Sequence, residues 1–269
     1  MNHKQGHLLS ASNFIKFFFY ILPFISFFIT LYQLNQQYDG HHHGIIFSIS
    51  EDLLRGKILY KDFFPHYGVS FIFVNSIFIK IFSNSIYGTY FLISLCHGSI
   101  YLIFGMIVRK LFNEKIAVSS MTMMFLLYPA ADMPWPDFLF MALILISFYI
   151  LIISKNNYLF LLSGFCYSLA GLTKDNLTIL LFLGIIFLCI SLLYLKYVKK
   201  KIIYNNFINI YWVLGYLIPV TIFFSYLIYN SILYEYFNHF NVGKAAINHF
   251  CSSEIDSFLL RNIDCGRIA

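Results

Sequence analysis

The chain has 269 residues, of which 59% are hydrophobic and only 11% charged, with a mean hydropathy of +0.73. Soluble domains carry about 25% charged residues, so this composition excludes an ordinary soluble domain and predicts an all-α, polytopic transmembrane helical bundle. The formal net charge of +6 is explained by where the basic loops lie relative to the membrane, and it implies no nucleic-acid partner.

In chain order, the first span runs from Phe17 to Leu34, and no small-residue cleavage site follows it. It therefore reads as a retained anchor, not a signal peptide. A polar stretch follows at once, "YDGHHHGIIFSISEDLLRGKILYKDFFPHYG", residues 38–68. Within it Ser48, Glu51, Asp52 and Arg55 fall at i, i+3, i+4 and i+7, with Ile46, Ile49 and Leu53 on the opposite side. That pattern predicts a helix over 45–55 lying on the membrane with one face wet. Gly56 stands where a helix end calls for a left-handed residue. The chain then returns through Tyr60, Phe63, Phe64 and Tyr67, rings that suit the headgroup layer.

The apolar run 69–83 is short, carries Asn75 and Lys80, and is expected not to cross. Further spans are predicted over Ile86–Val108, Ile116–Tyr128, Phe138–Ile153, Tyr158–Leu172, Leu177–Tyr194 and Ile208–Tyr229. The spans and the outer loop, residues 35–85, occupy 14–229, and 230–269 forms an outward-facing tail. With the N-terminus inside, the inner segments carry Lys4, Lys16, Arg109, Lys110, Lys115, Lys155, Lys196, Lys199, Lys200 and Lys201, against the single acid Glu114. The other eleven of the twelve acids fall outside, which is the positive-inside pattern. Among the five cysteines, Cys96, Cys166 and Cys189 fall in spans as small apolar fillers. Cys251 and Cys265 lie in the tail, where the compartment permits a disulfide.

Three outer features carry candidate chemistry. Asp39 follows the first span by a few residues; it either makes a turn with Gly40 or is held at headgroup depth to take a proton or bind a metal. His41, His42 and His43 are adjacent, so they diverge on a helix or strand and do not readily share one ion; they are structural, or one of them, His42, joins Asp39 on a divalent metal. "YPAADMPWPDF", residues 128–138, is stiffened by three prolines and offers Asp132 and Asp137, either as a plain reverse turn or facing the first loop. "GLTKDN", residues 171–176, places Lys174 where a span meets the outer surface, either snorkelling or binding a phosphate as a point charge.

Taken together, these residues resemble the GT-C class of integral-membrane glycosyltransferases, which includes the protein O-mannosyltransferase and aminoarabinose-transferase families. Members have an outer loop opening on an acid and a Gly-x-x-x-Tyr-x-Asp run leading to Tyr-Gly or Pro-Pro. Here the matches are Asp39, Gly56, Tyr60, Asp62, Tyr67 and Gly68. "LYPAADMPWPDFLFMALIL" resembles the segment bearing a second outer acid, and "GFCYSLAGLTKDNLTILL" the later Gly-Leu-x-x-x-Thr-Lys stretch, so the likeness covers residues 14–195.

The resemblance implies sugar transfer, with inversion, from a polyprenyl-phosphate-linked donor to a glycan, lipid or protein acceptor on the non-cytoplasmic face, in a bacterial inner membrane. It implies Asp39 as general base or metal ligand and Asp132 as the supporting acid. Lys61 and Lys174 would meet the carrier phosphate, and Asp62, His66 and Tyr67 would bind substrate. Two departures stand out. Asp39 is followed by Gly40 and His41 where many members have Asp-Glu, and the chain, ending at Ala269, is short for the class, as a truncated member would be. The competing readings are a lipid or sugar transporter, whose ionisable groups would lie at mid-membrane, and a non-catalytic or metal-handling membrane protein.

Overall fold

The computed structural model describes residues 11–37, 40, 42–63, 67–131, 133–174, 186 and 210–238. Eight helices are named among them. They are α1 (Ala11–Gln36), α2 (His42–Leu54), α3 (Val69–Ile81), α4 (Tyr87–Leu111), α5 (Glu114–Leu127), α6 (Asp137–Ile153), α7 (Asn157–Gly171) and α8 (Ile210–Tyr229). No strand occurs among the described residues.

Local chemistry sets the helix ends. The Asn113 and Asn156 side chains accept the backbone N–H groups of Ile116 and Leu159, which starts α5 and α7. Pro136, whose missing N–H costs nothing at a helix start, precedes Asp137 at the head of α6. Gly56 ends α2 with φ +84°. Around it Gly56 N–H donates to Leu53 O and Lys57 N–H to Asp52 O, a Schellman pair that satisfies two orphan carbonyls.

α4 is the hub, packing on α1, α3, α5 and α6, while α7 joins α6 to α8. α1 and α4 run antiparallel, with the Arg109 guanidinium over the Phe19 ring at 4.6 Å near one end and Ser26 and Thr30 meeting His97 further along. α6 and α7 are antiparallel too, tied at mid-length where the Ser147 and Ser163 hydroxyls meet at 3.0 Å. A Cβ at Gly164 would overlap the Trp212 carbonyl, and one at Gly215 the Leu161 carbonyl, so glycine lets the α7 and α8 backbones touch. Between lipid-solvated helices, such close backbone approach replaces hydrophobic burial as the source of association.

Among the described residues, three helices are long and apolar enough to cross a membrane: Ile15–Gln36, Tyr87–Leu111 and Ile210–Tyr229. α1 is built inside out, burying Ser26 and Thr30 while Phe17 is 60% and Phe24 59% exposed. The sequence expected more crossings. α5 and α7 form where expected, but at 14 and 15 residues they fall short of the ~20 that a bilayer core requires. The asparagine caps trim one end of each, and Tyr128-Pro129 and the 172–174 turn trim the other. The expected span over Leu177–Tyr194 and the tail cysteines lie outside the described residues.

α2 and α3 sit together where α4 begins and α7 ends. The Asn75 amide donates to Ser50 Oγ at 2.8 Å and the Ser76 hydroxyl to Ser50 O at 3.1 Å. At its start α3 is joined to the last turn of α7, and at its far end Gly88 of α4 lies against Phe78 and Ile79. Both ends of α3 therefore stay at the same end of the bundle.

Candidate functional site

Two segments far apart in sequence are welded by their backbones. Gly68 N–H donates to Thr173 O and Ser70 N–H to Leu172 O, both at 2.9 Å, and the Ser70 hydroxyl donates to Leu169 O at 2.8 Å. A Cβ on Gly68 would overlap the Leu172–Lys174 backbone, so glycine is required for this approach. The Tyr67-Gly68 pair that leads into α3 and the Leu-Thr-Lys run after α7 are thus one structural unit.

Lys174 leaves that unit to pair with Asp137 at 2.7 Å, both side chains being partly exposed. Asp137 opens α6, where the helix dipole favours a carboxylate. Tyr67 stands beside it; burial, and then the Asp137 charge, push the phenol above its ordinary value, so it stays neutral and able to donate. The Tyr67 ring meets Trp135 edge-on at 6.4 Å, and the His42 ring meets Trp135 at 4.9 Å. His42, Tyr67, Trp135, Asp137 and Lys174 therefore gather from α2, the α3 lead-in, the α6 lead-in and the end of α7. The arrangement offers an ammonium paired with a carboxylate, and a neutral phenol, beside an aromatic wall.

Other sequence candidates go elsewhere. Residues 58–63 form a tight turn: Asp62 Oδ2 accepts the Ile58 N–H at 2.7 Å, and Tyr60, at φ +66°, is buried against Phe223 and Tyr236. Tyr226 hydroxyl accepts the Leu59 N–H at 3.0 Å, fixing this turn on α8. Tyr60 was expected at the headgroup layer; it serves instead as a plug in the core. Lys61 is exposed and Asp62 lies at the surface of the same turn. Asp39, His41, His66 and Asp132 lie outside the described residues. For a divalent metal, the described donor is His42, whose ring faces Trp135, while Asp39 falls outside. No group of three or more His, Cys, Asp or Glu side chains gathers among the described residues.

The sequence reading missed His97. It is buried in the middle of α4, with Nδ1 2.8 Å from Ser26 Oγ and 3.0 Å from Thr30 Oγ1. Its signal was present in the sequence: a lone histidine in an apolar span, and two hydroxyl residues four apart in another. No family model matches the chain, and neither does any curated protein or solved structure.

Proposed function

We propose that the protein is a multi-pass membrane glycosyltransferase of the GT-C kind. It moves a sugar from a polyprenyl-phosphate-linked donor to an acceptor on the non-cytoplasmic face, in a bacterial inner membrane. One observation supports this above the others: the Tyr67-Gly68 unit, the 135–137 segment and Lys174, three pieces of the resemblance, meet at one end of the bundle. In this reading α2 and α3 lie along the membrane surface as the floor of the site. An apolar cavity of about 270 Å³ adjoins it between α3, α7 and α8, lined by Val69, Phe73, Leu169, Leu172, Ile222 and Phe223, and suits a lipid tail.

The chemistry divides among few groups. The acceptor hydroxyl attacks the anomeric carbon as Asp39 takes its proton, and the carbon–oxygen bond to the carrier phosphate breaks with its electron pair on the phosphate. Lys174 offsets the charge that develops there. Tyr67 and His66 bind substrate, and Asp132 supports Asp39. The test is transfer by the purified full chain from a polyprenyl-phosphate sugar. Asp39→Asn should insert and accumulate normally yet lose roughly 10²-fold in rate, the usual scale for acid–base catalysis. Unchanged transfer would return Asp39 to a turn residue.

A further inference from the structure

The 128–131 segment leads from α5 toward the candidate site, and side chains of two other helices satisfy its backbone. Tyr101 hydroxyl donates to Tyr128 O at 2.5 Å, Ser26 hydroxyl to Pro129 O at 3.2 Å, and Ala131 N–H donates to Thr30 Oγ1 at 3.2 Å. His97 Nδ1 lies between the two α1 hydroxyls. Nδ1 is thereby joined to the 128–131 backbone twice: through Ser26 Oγ, at 2.8 Å, to Pro129 O, and through Thr30 Oγ1, at 3.0 Å, to Ala131 N–H. Nε2 is buried among aromatic rings, with no hydrogen-bond partner among the described residues. Those rings are Tyr101, Tyr128 and Phe138, and Phe138 adjoins Asp137.

We infer that His97 is a positioning residue: acting through Ser26 and Thr30, it fixes the 128–131 segment and so sets where Trp135 and Asp137 stand against Tyr67 and Lys174. An ionisable side chain within a membrane helix normally marks function; here the function is to hold a loop whose backbone would otherwise be unpaired at that depth. The histidine touches no candidate ligand group. It works from beneath the site, and its effect is read in the geometry above.

Trp135 is the reporter. In a Trp212→Phe background of the full-length protein it is the sole tryptophan, because the chain has only two. His97→Leu keeps an apolar filler and removes both links. Its Trp135 emission should move to longer wavelength, and acrylamide quenching should rise about twofold as the half-buried indole opens locally to solvent. His97→Asn, whose amide nitrogen falls where Nδ1 was, should stay at the wild-type value; His97→Gln, which instead mimics Nε2, should behave like His97→Leu. Ser26→Ala and Thr30→Val should each move Trp135 the same way with little change in melting, and adding either to His97→Leu should move it no further. An unchanged Trp135 in folded His97→Leu, or equal shifts in the Leu and Asn variants, would overturn the assignment. Should His97→Leu not fold, an unmoved Trp135 in both α1 variants overturns it equally.

Discussion

Lys174 is partnered with Asp137 across a partly exposed gap, and that placement separates its contribution to stability from its contribution to binding. A solvent-screened pair of this kind contributes about 1 kcal/mol or less, so Lys174→Gln should leave the melting temperature almost unchanged. If Lys174 carries the donor phosphate, the same substitution should lower kcat/KM for the lipid-linked donor by about 10²-fold, the scale for removing a group that meets developing charge. Equal activity in Lys174→Gln and wild type would leave the lysine as a snorkelling side chain. The sequence made Lys174 and Tyr67 legible, because a cation and a phenol are conspicuous at the end of an apolar run. It did not reveal Asp137 as the lysine's partner. Asp132 and Asp137 share one short loop, and the 37 positions from Asp137 to Lys174 are bridged only by the antiparallel α6–α7 hairpin. His97 was missed for a related reason: its partners Ser26 and Thr30 lie on a helix 67 or more residues earlier, and one histidine in an apolar run has no local pattern to betray it.

Helices were legible where periodicity and length act locally. The expected 69–83, 86–108 and 138–153 segments appear as α3, α4 and α6 with ends displaced by no more than a few residues, and Gly56 stops α2 as its position predicts. Which helices touch was not legible, since small residues mark close approach without naming the partner. Gly164 and Gly215 show the consequence. Gly164→Ala would drive a methyl into the Trp212 carbonyl, an overpacking that costs about 1–3 kcal/mol. Gly44 is the contrast: it lies in α2 with open space around its missing Cβ, so Gly44→Ala should stabilise by up to about 1 kcal/mol. Thermal melting of the two purified variants should therefore move in opposite directions. A Gly164→Ala protein that melts like wild type would mean that α7 and α8 do not cross at these glycines.

At the scale of the whole molecule, charge and architecture point the same way. Arg109 over Phe19 puts the α4 C-terminus beside the start of α1, so Lys16, Arg109, Lys110 and Lys115 collect at one end of the α1–α4–α5 group. Lys155, in the α6–α7 turn, lies at the corresponding end of the antiparallel hairpin. The opposite end holds Glu51, Asp52, Asp62 and Asp137, balanced there by Arg55, Lys57, Lys61 and Lys174, together with Tyr67 and Trp135. Cytoplasmic loops retain an excess of Lys and Arg, so the proposed orientation puts the basic end inward and the candidate site outward. Phe112, 67% exposed between α4 and α5, is the position that decides this. In a cysteine-free background, Phe112→Cys should resist an impermeant maleimide added outside intact cells and react once the membrane is opened. Lys61→Cys, on the exposed 58–63 turn, should react without opening. Labelling of position 112 from outside would invert the molecule. The Lys174 end would then face the cytoplasm, where a donor carried on the outer leaflet could not reach it.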